Sequence, residues 1–329
     1  MPDPFQYALA VMVAFAVSLV AVAGTRGFSR WRVLRAVGIT EVLAVLTGIV
    51  AGYRILEFEY VWPPANAISR FLTIILPAAI IVELISGLRP NSTQPEVRRF
   101  KNAGLLSILA MGLRVGLFAS IGRTLLHNSV YLQVFPSVNV TWSEWQIFFL
   151  LTASAVLLTS VWLVLFSLAE RDGAGSVTAS LSLSIMTAGL VVMLAGYIKG
   201  GAAAFPVSAS LMGVVVANAI IQRAFDVSHC RSSQSLIGPG VTALFSLLWI
   251  GSLFGELPAS TAITIFLAPT FCWVSEVSVF GRLSSRRKAL LRLIAVAIPL
   301  AIQLFVAKRT FDQKLGALLA GVTESLLDI

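Results

Sequence analysis

Ten apolar stretches, each about long enough to cross a lipid bilayer, run through this chain with only short polar breaks between them. They lie near 5–23, 33–53, 67–88, 102–122, 145–169, 176–198, 202–222, 237–256, 259–279 and 290–306. A helix needs about 20 apolar residues to span the hydrocarbon, whereas a strand of a membrane barrel needs about 10 of alternating character. These stretches are roughly twice the strand length and apolar on every side, so they predict helices. In hydrocarbon each backbone N–H and C=O must be satisfied inside the protein, which leaves few other choices. Turn formers separate them: Trp62-Pro63-Pro64, Arg89-Pro90-Asn91, Gly173-Ala174-Gly175, Gly200-Gly201 and Gly238-Pro239-Gly240. The expected fold is an all-α polytopic transmembrane helix bundle of about ten spans.

No soluble domain fits beside it. The 329 residues are 57% hydrophobic and 12% charged. A soluble chain runs near a quarter charged, so this one cannot cover a water-facing surface. The longest polar-leaning gap, Arg123 to Glu144, has 22 residues. A small domain needs roughly 40 to hold together alone. Residues 1–306 are read as a ten-helix transmembrane domain and 307–329 as a tail. In the tail Phe311, Leu315, Leu318, Leu319, Val322 and Leu326 recur at helical spacing. That predicts an amphipathic helix lying on the membrane surface, or a docking helix for a membrane protein partner. Ala21-Val22-Ala23 looks like a signal-cleavage site, but Met1-Pro2-Asp3-Pro4 lacks a positive start, so the first stretch is read as a span.

The net charge is +9, from 24 Lys+Arg and 15 Asp+Glu. In a membrane protein such an excess marks cytoplasmic loops rather than a nucleic-acid partner, and none is expected. The loops after stretches 1, 3, 5, 7 and 9 hold most of it: Arg26 to Arg35, Arg89 to Lys101, Arg171, Arg223 with Arg231, and Arg282 to Arg292. Fewer basic residues, among them Arg54, Arg70, Arg123 and Lys199, fall on the other side. The expected orientation has the odd-numbered loops in the cytoplasm and both termini outside. Tyr131, Phe135, Trp142 and Trp145 read as interface anchors, and Asn139-Val140-Thr141 is a sequon with meaning only in a eukaryotic secretory setting.

Chemistry then rests on the few charges inside spans, which lipid makes costly. Glu41, Glu83, Arg114 and Glu276 are the binding or transport-path candidates. Counted at 1.5 Å per residue, Glu41 and Arg114 differ in depth by roughly 8 Å, a gap that an Arg side chain largely bridges. Glu83 matches Arg114 less well. The alternatives are ion pairs that hold helices together, a transport path, or proton handling. Gly112 and Gly116 flank Arg114 in a GxxxG step, as Gly48/Gly52, Gly196/Gly200 and Gly251/Gly255 do elsewhere, and would let backbones approach. Pro77, Pro206, Pro269 and Pro299 lie within spans; each frees a backbone carbonyl and can kink its helix, although proline is frequent in membrane helices. There is no HExxH, GxSxG or Walker A motif, and His127 and His229 do not form a metal site. Cys230 in a loop and Cys272 in a span are expected to be unlinked.

Stretches 3 and 9 are faintly alike. One reads Thr73 to Pro77, Glu83, Arg89; the other reads Thr264 to Pro269, Glu276, Arg282. An offset of six helices does not halve a ten-helix chain, so the likeness is read as coincidence among apolar helices. The run Trp62 to Leu72 into Leu76-Pro77, with His127 to Leu132 and the Gly196 to Pro206 hairpin, resembles uncharacterised polytopic membrane proteins of planctomycete bacteria. The resemblance covers scattered parts of the chain and implies a bacterial inner membrane, with no activity attached. The leading expectation is a permease or channel-like protein for a small solute or ion, not an enzyme, with membrane lipid around it and no cofactor. The alternative is a non-catalytic membrane subunit or assembly factor of a larger complex.

Overall fold

The computed structural model describes residues 3–27, 37–58, 60, 62–87, 102–127, 143–172, 174–225, 234–277 and 284–327. All regular structure among them is helical. The loop aromatics Tyr131, Phe135 and Trp142, the sequon, His229 and Cys230 lie outside the described residues. So do the side chains from Leu315 onward. Among the described residues, nine helical segments are long and apolar enough to cross a membrane. Large apolar side chains point outward, including Phe5, Phe149, Ile298 and Phe305, each more than half exposed. On a soluble protein such a surface would aggregate; around apolar helices it is the face that lipid covers. The chain is an integral, multi-pass membrane protein.

The centre is built from α7 (Ala174–Leu194), α9 (Ala204–Phe225) and α10 (Ile237–Phe254), which are mostly buried. Around them stand α1 (Pro4–Gly27), α2 (Val37–Ile55), α5 (Asn102–Leu126), α6 (Glu144–Asp172) and α12 (Ser285–Leu327). Small and hydroxylated residues let the inner helices touch. A Cβ on Gly48 of α2 would land on Ser18 Oγ of α1, and Ser18 donates to the Ala44 carbonyl at 3.0 Å. Between α7 and α9, Ser182 and Ser208 each donate to the other's carbonyl at 2.8 Å. Without a hydrophobic force between helices in lipid, such close packing and hydrogen bonding hold the bundle. Gly112 and Gly116 differ: a Cβ on either would meet nothing within 4 Å, so that step packs no helix.

Two spans are interrupted, both at proline. In the third, α3 (Ala67–Arg70) passes through a π-helical turn, Phe71–Ile75, into α4 (Leu76–Gly87). Pro77 cannot donate to the Thr73 carbonyl, and the widened turn before it carries the ladder past the missing bond. The ninth stretch tightens instead. After α11 (Ala259–Leu267) come nine residues of 3-10 helix, Ala268–Glu276, with Pro269 in its first turn. Nine α and nine 3-10 residues rise about 31 Å together, which still matches the roughly 30 Å of hydrocarbon.

The other two prolines interrupt no helix. Pro206 is the third residue of α9, not a mid-span kink, because the short α8 (Ile198–Ala202) ends in a turn at Ala203. In a first turn the missing N–H has no intrahelical partner to lose. Pro299 sits inside α12, which runs 43 residues without a break. At 1.5 Å per residue that is about 65 Å, twice the hydrocarbon thickness. Residues 307–327 continue the helix of the span without a break.

Candidate functional site

The candidate residues sit mainly at one end of the bundle, where α4, α6, α9 and the 3-10 segment finish and α5, α7, α10 and α12 begin. Most of the Lys and Arg residues flank this end in sequence, so it is termed the basic end.

Glu83 of α4 meets Arg114 of α5 in a two-pronged pair: Nε donates to Oε1 at 2.8 Å and Nη2 to Oε2 at 2.6 Å. Both residues are buried. The planar guanidinium matches the carboxylate fork, the strongest hydrogen-bonded ion-pair geometry that side chains offer. Its carbon also lies 5.2 Å from the Trp162 ring centre and 6.0 Å from that of Phe166, both on α6. An aromatic wall thus supports the cation where lipid would not. On the other side, a Cβ on Gly238 would collide with Glu83 Oε1, so glycine admits the carboxylate to the first turn of α10. There the positive end of the helix dipole favours the anion.

Depth counting favoured Glu41 as the Arg114 partner, and the structure corrects this. Glu41 of α2 is buried and accepts from Asn218 Nδ2 of α9 at 2.9 Å. α2 packs on α1, α9 and α4, whereas α5 packs on α4 and α6. Depth ranks partners only among helices that are neighbours, and depth carries no information on who the neighbours are.

Glu276, the fourth candidate, ends the 3-10 segment and accepts from Arg292 Nη2 at 2.8 Å. Arg292 of α12 is 1% exposed. Its Nε donates to Ser275 Oγ at 2.7 Å and its Nη1 to Ser176 Oγ at 2.9 Å. A 3-10 helix repeats every three residues, so Pro269, Cys272 and Ser275 line up on the buried side. Cys272 Sγ approaches Ser180 Oγ at 3.2 Å and forms no disulfide. Sequence reasoning placed Arg292 at a span edge among loop charges. The signal for it was present: a lone cation in the apolar run Leu290-Leu291-Arg292-Leu293-Ile294. Arg70 was missed likewise. It is buried, and its Nη1 donates to the Leu125 carbonyl at 3.2 Å, at the C-terminal end of α5.

A cavity of about 440 Å³ occupies the half of the bundle away from the basic end, between α6, α10 and α11. Leu150, Leu157, Phe245, Leu248, Trp249 and Phe266 are among its walls. Its two serines turn their hydroxyls to their own helices, Ser154 to the Leu151 carbonyl and Ser252 to that of Trp249. None of Glu41, Glu83, Arg114 or Glu276 lines it. At this same end the solvent-exposed Lys314 of α12 pairs with Glu256 in the turn before α11. The Lys314 ammonium holds the Glu256 carboxyl below the usual carboxylate range. Among the described residues no three His, Cys, Asp or Glu side chains gather as metal ligands would. The arrangement offers cross-linked helices at one end and an apolar recess at the other.

No family model matches the chain, and no curated protein or solved structure is similar to it at a significant level.

Proposed function

We propose that this chain is a permease-type protein whose solute is an apolar or amphiphilic small molecule taken up from within the bilayer. The cavity between α6, α10 and α11 carries this reading. Its 440 Å³ falls within the roughly 300–1,000 Å³ of small-molecule sites. Its walls suit a hydrocarbon chain and offer nothing to a bare ion. The two buried ion pairs tie the basic half together while the other half holds the recess, an arrangement that fits one side of an alternating cycle. Both acids of those pairs lie on interrupted helices, which transporters often use at their sites. The charge distribution supports a cytoplasmic basic end and outside termini, and the resemblance to planctomycete membrane proteins points to a bacterial inner membrane.

Spin-labelled stearate added to the protein in nanodiscs tests the reading. The wild type should show an immobilised component. Ala262→Phe, which fills the recess, should remove it while moving the melting temperature by less than about 2 °C. The same component in both proteins, or none in the wild type, overturns the proposal. The orientation is tested separately: a cysteine replacing Arg286 should resist an impermeant thiol reagent applied from outside, and labelling would reverse the topology.

The long α12 favours the alternative, a non-catalytic subunit that docks a partner through its projecting end. Truncation after Val306 separates the two: stearate binding survives under the permease reading, and partner co-purification is lost under the subunit reading.

A further inference from the structure

Three buried polar atoms on α10 have no hydrogen-bond partner: Thr242 Oγ1, Ser246 Oγ and Trp249 Nε1. Thr242 and Ser246 are both 0% exposed. Buried polar atoms without partners are rare, because each forfeits the bonds it made to water. A serine or threonine in a membrane helix ordinarily turns to the carbonyl one turn back, as Ser86, Thr159, Thr178 and Ser184 do here. Thr242 and Ser246 do not.

Their placement is not scattered. Gly238, Thr242, Ser246 and Trp249 fall within roughly an 80° sector of α10. Gly238 begins the stripe against Glu83 Oε1. Trp249 ends it, on the wall of the 440 Å³ cavity and beside Gly122 of α5, where a Cβ would come within 3.8 Å of Cζ2. α5 carries Arg114 two turns earlier, so α5 and α10 run side by side from the ion pair to the recess. The opposite side of α10 is apolar: Gly240 packs on Leu181 and Leu211. The unpartnered atoms therefore form a polar line joining the Glu83–Arg114 pair to the cavity.

We propose that this stripe lines the path that opens when the Glu83–Arg114 pair separates, and that water satisfies Thr242, Ser246 and Trp249 in that open state. In the structure described above the three atoms are buried without a partner, so an opening that wets them is a gain. Rupture of the ion pair would release α4 and α5 from the stripe's outer side, and the stripe leads from there directly into the recess. This deepens the permease reading and rests on it for the identity of the solute. The existence of a hydrated open state is measured independently of any solute.

The test uses single cysteines in the full-length protein with Cys230 and Cys272 changed to serine. Thr242→Cys and Ser246→Cys lie on the stripe. Leu244→Cys, equally buried on α10 but on the side of Gly240, away from the stripe, is the control. A charged, water-soluble methanethiosulfonate should modify the two stripe positions at least about tenfold faster than the control. Adding E83Q/R114Q, which removes both charges of the pair, should raise the stripe rates further and leave the control unchanged. Equal rates at all three positions, or silence at all three in both backgrounds, overturns the proposal. Stearate binding with silent cysteines would leave the permease reading standing and place its path elsewhere. Reactive stripe cysteines without stearate binding would keep the hydrated path and remove the amphiphile.

Discussion

The two buried ion pairs make an instructive comparison. Each joins a glutamate on a proline-interrupted span to an arginine on the span that follows it in the chain: Glu83 to Arg114 and Glu276 to Arg292. The glutamates lie six and seven residues past Pro77 and Pro269. The faint likeness of stretches 3 and 9 thus extends to their pairing, although the local backbones diverge. A π turn widens the first span and a 3-10 segment tightens the second. The tightened helix brings Ser275 fully inward and leaves the Glu276 side chain 18% exposed. The guanidinium of Arg292 is consequently shared among Ser275, Ser176 and Glu276, whereas Arg114 gives both of its bonds to one carboxylate and rests on aromatic rings. Like sequence signals produce one concentrated pair and one distributed network.

The contrast predicts an order of losses. Arg114→Leu removes both hydrogen bonds that the guanidinium gives to the 3% exposed Glu83 carboxylate and should cost about 3–5 kcal/mol in reversible unfolding. The double change R114L/E83L should recover most of that, since two apolar side chains need no desolvation repayment. If the double variant is as unstable as the single one, the pair contributes more than mutual neutralisation.

Arg292→Leu should cost less, about 1–3 kcal/mol, because Glu276 can turn to water and the serines can turn to nearby carbonyls. A loss equal to that of Arg114→Leu would erase the distinction between concentrated and distributed pairs. Ser275→Ala removes one bond from the network and should cost about 1 kcal/mol, seen as a shift of a few degrees in melting temperature.

The smallest effect belongs to the solvent-exposed pair of Glu256 and Lys314. Lys314 depresses the Glu256 carboxyl, so any stability the pair adds is present above the ordinary carboxylate range. It is lost as the pH falls through the depressed value. Both partners are largely exposed, and water screens them. Glu256→Gln should melt with the wild type at neutral pH to within about a degree. A larger difference would mean that the pair anchors α12 to the α10–α11 turn.

Most of the architecture was legible without coordinates. Span length, helical state and the absence of room for a soluble domain follow from local requirements: an apolar surface against lipid and a backbone satisfied within each segment. Glu41, Glu83, Arg114 and Glu276 could be picked out for the same reason, since a charge in an apolar run is costly wherever it lies. Arg292 escaped because a boundary misplaced by a turn turned a buried cation into a loop residue. The tertiary structure decided what no local rule carries. It chose Glu83 over Glu41 for Arg114, because α4 and not α2 packs on α5. It decided that the helix before Pro77 would widen and the helix from Pro269 tighten. It left Thr242 and Ser246 without partners on a stripe between ion pair and recess. These are properties of contacts between segments far apart in the chain, and hydrophobic periodicity specifies that a helix is buried without specifying against what.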